Sequence, residues 1–189
     1  MRGAAGPIVK DVVLVGAGHA HVEVLRHFGM RPLEGVRLTL VTRELHTPYS
    51  GMLPGLIAGS YTFDEAHIDT GPLTRLAGAR LYADEAIGLD LENRRVLCRH
   101  RPPIPYDILS LDIGSRPNTA GVPGAEAHAI PVKPIDGFLA RFEAMKARVL
   151  AGTSRHVLLV GGGAGGVELL LSVERRLRHE VAQAGGDET

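Results

Sequence analysis

An aliphatic run that stops at glycines occurs twice in the chain, and this repeat restricts the fold more than any other feature. VVLVGAGHAHVEVL (residues 12–25) returns as VLLVGGGAGGVELL (157–170). Each copy has four aliphatic residues, then Gly-x-Gly, then an amphipathic run with Val-Glu in the same place. Glu23 lies seven residues after Gly16, and Glu168 seven after Gly161. Four aliphatics in a row predict a parallel strand covered on both faces. The run after the glycines predicts a helix, with Val22, Leu25 and Phe28 inward in the first copy. A strand–turn–helix unit used twice implies an α/β sheet with helices against it.

The glycines of such a turn have separate tasks. The first permits the tight turn, and the second leaves space for a pyrophosphate to approach the backbone. The helix that follows points its amides and positive dipole end at that anion. Gly161, Gly163 and Gly166 complete Gly-x-Gly-x-x-Gly. In the first copy Gly16 and Gly18 are present, and His21 takes the third place. That third glycine serves close packing of helix on strand, so His21 costs closeness rather than phosphate contact. A turn made for packing alone is the competing reading of either copy taken singly; the pair suggests two nucleotides. The acidic residue that binds a ribose falls about 20 residues downstream. Here that place is Thr42-Arg43-Glu44. Thr42 offers a hydroxyl to a ribose, Glu44 is within reach of one, and Arg43 suits a 2′-phosphate. A solvated turn accounts for the three residues equally well.

The rest of the chain reads at lower resolution. VRLTLVT (36–42) alternates as a second strand, and residues 43–63 are loop-rich. A short helix fits 70–79, and short strands fit 79–99 with a turn at Glu92-Asn93. YDILSLDIG (106–114) is a strand that stops at glycine, and 115–126 is a connection rich in proline and glycine. Residues 135–152 form a helix with Phe138, Phe142, Met145 and Val149 on one face and Gly152 at its end. Residues 182–189 are expected to fray. The fold expected is a Rossmann-like, doubly wound parallel α/β sheet with a β-meander insertion, followed by the start of a second Rossmann-like unit.

Composition excludes some functions. Formal net charge is zero with a pI near 7.1, which gives no electrostatic basis for a nucleic-acid partner. Cys98 is the sole cysteine, so no intramolecular disulfide can cycle, and it reads as a bystander. His19, His21 and His27 share a helix but not a face, so no metal site is expected. The first 18 residues do not read as a signal peptide. No run reaches the roughly 18 apolar residues of a membrane span. A cytoplasmic protein is expected, with peripheral membrane contact compatible.

Four segments in order carry a resemblance: the turn at 16–18, TPYSGMLPG (47–55), YDILSLDIGSRP (106–117) and GGGAGGVE (161–168). Together they resemble the two-dinucleotide-binding flavoproteins, the pyridine nucleotide–disulfide oxidoreductase superfamily. Within it the chain is most similar to type II NADH dehydrogenase-like proteins and to the flavoprotein module fused to selenide, water dikinase. The resemblance implies FAD at the first turn, held by Gly16, Gly18, His19, Thr42, Arg43, Thr47, Pro48, Asp112 and Gly114. It implies NAD(P)H at the second, held by Gly161, Gly163 and Gly166. A hydride would pass from nicotinamide to flavin and on to a quinone or another small acceptor. At Asp112-Ile113 the chain departs from the Ala-Thr that is usual there.

The same resemblance implies a division into residues 1–130, an FAD-binding part lacking its C-terminal return, and 131–189. The latter would be a connecting helix with the first strand–turn–helix of an incomplete NAD(P)H-binding part. The chain then reads as an N-terminal portion, inactive alone and prone to self-association. Glu168, on the first turn of the second glycine helix, is either a carboxylate near the nicotinamide and flavin rings or one favoured by the helix dipole. Lys133 either stabilises negative charge on the reduced flavin or is solvated. Tyr49, Ser50 and Met52 are expected in a loop near the flavin or acceptor. A nucleotide-binding module without turnover is the alternative to the enzyme.

Overall fold

The computed structural model describes residues 7–119, 121–154 and 156–185. Residues 186–189 of the tail expected to fray lie outside the described residues, as do the first six residues of the segment read as no signal peptide. The chain divides into two compact units. One comprises the residues up to Thr47 together with Ile68–Gly114, and the other Pro48–His67 together with the residues from Ser115 on.

In chain order the elements are β1 (Lys10–Val15), α1 (His19–Met30), β2 (Val36–Thr42) and β3 (His46–Pro48). A 3-10 turn at Ser50–Met52 leads into α2 (Leu53–Ile57), α3 (Phe63–Ala66) and β4 (His67–Asp69). Next come α4 (Thr70–Ala77), β5 (Arg80–Ala83), β6 (Ala86–Asp90), β7 (Arg95–Cys98), β8 (Ile104–Pro105) and β9 (Ile108–Leu111). The helices α5 (Ala125–His128), α6 (Ile135–Leu150) and α7 (Ala164–Gln183) follow.

The first unit is built on a four-stranded sheet in the order β5-β2-β1-β9, parallel throughout. Side chains alternate across a strand, and β1 uses both faces. Leu14 packs with Leu25 of α1 and with Leu38 and Leu40 of β2, beside Leu73 of α4. Val13 and Val15 pack the opposite way with Val41, Val96 and Ile104. Helices α1 and α4 therefore cover one face, and the antiparallel meander β6-β7-β8 covers the other. This is why β1 reads as an unbroken apolar run from Val12 to Val15 and why Leu38, Leu40 and Val41 of β2 are all buried. A fully buried aliphatic of this kind contributes roughly 1.5–3 kcal/mol of transfer free energy. Val24, rather than Val22, joins Phe28 against this core. Local signals set the boundaries: the Asp69 carboxylate caps α4 by accepting from the Gly71 amide at 2.8 Å, and Gly78 ends it at φ +64°.

The second unit is helical. Leu53 and Ile57 of α2 join Ile135, Phe138 and Phe142 of α6 and Leu169 and Val173 of α7 in one core. The loop-rich reading of 43–63 thus contains a short helix whose apolar residues are buried. Lys146 of α6 bridges Glu143, at 2.7 Å, and Glu180 of α7, at 3.2 Å.

One expectation fails here. The aliphatic run Val157–Val160 is not a strand; Leu158 and Val160 are 87% and 86% exposed. A strand exists through hydrogen bonds to a neighbour. Among the described residues of this unit no strand lies beside the run to accept them.

Candidate functional site

The first glycine turn sits where β1 runs into α1. The sheet ladder continues one residue past the strand, as the Gly16 amide donates to the Val41 carbonyl at 2.8 Å. On the other side the Asp112 amide donates to the Val15 carbonyl at 2.8 Å, and the Gly18 amide to the Asp112 carbonyl at 3.2 Å. The chain leaving β9 therefore runs tightly against the turn. Gly16 has φ +87°, and a β-carbon there would collide with the Asp112 carbonyl. Both the left-handed conformation and the close approach demand glycine at this position.

Gly18 is the cap residue of α1, and its carbonyl accepts from the Val22 amide at 3.0 Å. No side chain at the cap position bonds to the helix, and its first turn has no acidic residue. The carboxylate of Asp112 supplies what is missing: its Oδ2 accepts from the His21 amide at 3.2 Å. A β-carbon on Gly18 would collide with that carboxylate. The space beside Gly18, at the positive end of α1, thus accommodates an anionic group. The residues present fit a phosphate-binding turn.

His21 is not merely a glycine replaced. It is 1% exposed, with Nδ1 2.7 Å from the Gly16 carbonyl and Nε2 2.8 Å from Ser110 Oγ. A carbonyl only accepts, so Nδ1 carries the hydrogen. In the neutral ring Nε2 then accepts from the Ser110 hydroxyl. The imidazole ties the turn to both strands. Sequence reading noted His21 as a departure and passed over Ser110; a hydroxyl on the strand ahead of Asp112 was the available signal.

The other residues expected at the first turn have defined places. Thr47, 8% exposed, donates from its hydroxyl to the Ala17 carbonyl at 2.6 Å and so braces the turn. Thr42 ends β2 with its hydroxyl donating to the Glu44 carbonyl at 2.8 Å. Arg43 pairs with the Glu44 carboxylate at 3.3 Å. His19 is the first residue of α1. Gly114 has φ +72° and open space around it, so its conformation alone calls for glycine. Pro48 belongs to the second unit, as do the exposed Tyr49 and Ser50.

The second glycine turn differs in kind. Gly161 has φ +119°, and no neighbour stands within 4 Å of a β-carbon at Gly161, Gly162, Gly163 or Gly165. At Gly166 a β-carbon would stand 3.1 Å from the Gly161 carbonyl and 3.2 Å from Leu159 Cδ2. Its third glycine therefore packs closely against its own turn rather than against a strand. Helix α7 starts at Ala164 and has no acidic residue in its first turn. Glu168, placed there by sequence reading, lies one turn further along. The helix begins immediately after Gly163, which moves Glu168 away from the amides at its end and weakens the dipole account. Lys133 is half-buried in the second unit.

Cys98 is partly buried, and its thiol is pushed up by burial and by the Asp84 charge, with Arg101 opposing. Burial and the Asp84 charge both disfavour the thiolate, which is the reactive form. No cluster of three or more metal-binding side chains occurs among the described residues. No helix of the described residues is long and apolar enough to cross a membrane.

A family model described as pyridine nucleotide-disulphide oxidoreductase matches residues 10–182. The external alternative NAD(P)H-ubiquinone oxidoreductase B4, mitochondrial, of Arabidopsis thaliana is 26% identical over 195 residues, spanning 92% of this chain and 33% of its own length. The NADH dehydrogenase-like protein YutJ of Bacillus subtilis is 25% identical over 162 residues, spanning 85% of this chain and 44% of its own. Among solved structures, NDH2 from Plasmodium falciparum in complex with NADH superposes with a TM-score of 0.75 at 18% identity, covering 92% of this chain and 38% of that one. The chain thus spans less than half the length of these relatives.

Proposed function

Because the chain belongs to the pyridine nucleotide-disulphide oxidoreductase family, we propose that it carries the flavin-binding part and the opening of the nicotinamide-binding part of an FAD-dependent NAD(P)H oxidoreductase. In this reading residues 1–130 serve FAD, and 131–189 hold the connecting helix and the first glycine turn for NAD(P)H. One observation carries the assignment: a parallel strand enters a Gly16-Ala17-Gly18 turn whose helix already accepts a carboxylate at its positive end.

Gly16 and Gly18 would let the FAD pyrophosphate approach the backbone, and α1 would supply its amides. His21 and Thr47 hold the turn in shape from beneath. His19 would stand with the phosphates, Thr42 and Arg43 with the ribose end, Thr47, Pro48 and Gly114 along the approach to the nucleotide, and Asp112 at the phosphate position itself. Gly161, Gly163 and Gly166 play the phosphate-binding part for NAD(P)H. When bound, the flavin supplies the capacity to take a hydride from the nicotinamide and pass electrons on. Lys133 would stabilise negative charge near the ring, and Glu168 would stand near the nicotinamide. With one cysteine, the chain has no dithiol to relay electrons. The acceptor, a quinone or another small oxidant as in the Arabidopsis relative, would therefore meet the flavin directly. A cytoplasmic or membrane-peripheral setting agrees with this. The exposed Leu158, Val160, Val167 and Leu171 provide a surface for self-association.

Titrating FAD into the chain and following its fluorescence tests the site. Gly18→Leu should abolish the quenching while circular dichroism is retained. In a protein that also carries the rest of the nicotinamide-binding part, anaerobic NADH should bleach the visible absorbance of the bound flavin; bound nucleotide without bleaching there would favour a binding module without turnover.

A further inference from the structure

Asp112 stands where the phosphate of a nucleotide would go. Its carboxylate fills the space that the absence of a side chain at Gly18 creates, and it bonds to the His21 amide at the end of α1. Its own backbone is pinned on both sides, by the Val15 carbonyl and the Gly18 amide. The side chain, not the backbone, is thus the movable part. The first turn of α1 has no acidic residue of its own, so the Asp112 carboxylate acts as an internal anion there.

Given the reading of the first turn as the FAD site, on which this rests, we propose that Asp112 is a built-in competitor for the phosphate position. FAD binds only after the carboxylate swings away from Gly18 and the His21 amide. Two anions cannot share one helix end without repulsion. The apparent dissociation constant is raised by the inverse of the fraction of molecules in which the carboxylate has left. A carboxylate in place nine-tenths of the time weakens binding by about tenfold. Asp112 therefore sets how readily this chain holds or releases its flavin, and it makes the site selective for ligands able to displace it.

The test uses the 189-residue chain and FAD, with riboflavin as the probe that lacks phosphate. Asp112→Asn keeps the shape and an acceptor oxygen while removing the charge; Asp112→Ala also removes the bulk. Both should tighten FAD by about tenfold, as expected for release of a site that is mostly occupied, and leave riboflavin unchanged. Gly18→Leu, made in each background, should abolish FAD binding. If FAD binding is lost with Gly18→Leu yet is unchanged or weaker in both Asp112 variants, Asp112 is only a helix cap; the proposal fails while the site reading stands. If Gly18→Leu leaves FAD binding intact, or FAD binds in no background, both fail. The unaltered chain gives a check that needs no variant. Its His21 amide resonance should shift on adding FAD but not riboflavin, because its acceptor changes. A resonance unmoved at saturating FAD overturns the proposal even where a variant unfolds.

Discussion

His21 Nδ1 lies 2.7 Å from the carbonyl oxygen of Gly16, five residues earlier, and the same ring reaches Ser110 of β9 at 2.8 Å. One side chain thus locks the glycine turn to the strand that leads to Asp112. Removing it leaves a cavity and takes a partner from two half-buried polar groups, the Gly16 carbonyl and the Ser110 hydroxyl. His21→Ala should lower the unfolding free energy by about 3 kcal/mol. His21→Gly should cost at least as much, although glycine is what the fingerprint has there. Urea unfolding followed by far-ultraviolet circular dichroism measures both, and a loss under about 1 kcal/mol would show that the ring is not a tie.

Two glycines with left-handed backbones should respond unequally to alanine. At Gly114, φ is +72° and a methyl group meets nothing within 4 Å. Only the conformational penalty applies, about 1–2 kcal/mol. At Gly16, φ is +87° and the methyl collides with the Asp112 carbonyl, which is pinned by its neighbours. Gly16→Ala should therefore cost more than Gly114→Ala by at least about 1 kcal/mol. Equal melting temperatures for the two variants would contradict the close approach.

The sheet of the first unit was legible because its cause is local. The run at 12–15 is aliphatic throughout, as a strand buried on both faces requires, while 36–42 alternates, with Leu38 and Leu40 on one face and Thr39 and Val41 on the other. The glycine turn was legible from its spacing directly after an aliphatic run, although the groups that exclude a side chain at Gly16 and Gly18 belong to Asp112, far along the chain. Contacts across long separations were not readable. His21 and Asp112 are 91 residues apart, and nothing in the local pattern pairs them. Asp112 showed only as a departure from Ala-Thr; its place at the end of α1 needs β9 beside β1. The opposite failure occurred at 157–160, where the local pattern of a strand is intact. Strand formation depends on a neighbour, and a run of aliphatics does not supply one.

The Asp84 carboxylate should give the protein an acid-sensitive component. Its side chain is 4% exposed and accepts from the amides of His100 at 3.1 Å and Glu85 at 2.7 Å. Burial pushes its pKa up, but the bonds from the His100 and Glu85 amides and from the His100 imidazole outweigh that, leaving it below the ordinary value. The folded state thus binds this proton less readily than the unfolded chain. The associated stability is present above the ordinary carboxylate range and is lost as pH falls through it, below about pH 5. Asp84→Asn should flatten that part of a plot of unfolding free energy against pH. An unchanged slope between about pH 5 and pH 3 would rule the carboxylate out as its source.

Adjacent glycines at the start of α7 should behave oppositely when changed to alanine. Both Gly165 and Gly166 lie in the first turn of the helix, where alanine costs the unfolded chain less entropy on folding. At Gly165 a β-carbon meets nothing within 4 Å, so Gly165→Ala should stabilise the chain by about 0.5–1 kcal/mol. At Gly166 the same atom would stand 3.1 Å from the Gly161 carbonyl and 3.2 Å from Leu159 Cδ2. The leucine methyl can move aside; the backbone carbonyl belongs to the turn itself, and shifting it disturbs Gly161 at φ +119°. That displacement offsets the entropic gain, so Gly166→Ala should be neutral or destabilising. Thermal unfolding of the two variants at matched pH and salt gives the comparison. A Gly166→Ala chain that melts above the Gly165→Ala chain would mean that α7 does not pack against its own turn. The third glycine would then lack the packing reason assigned to it.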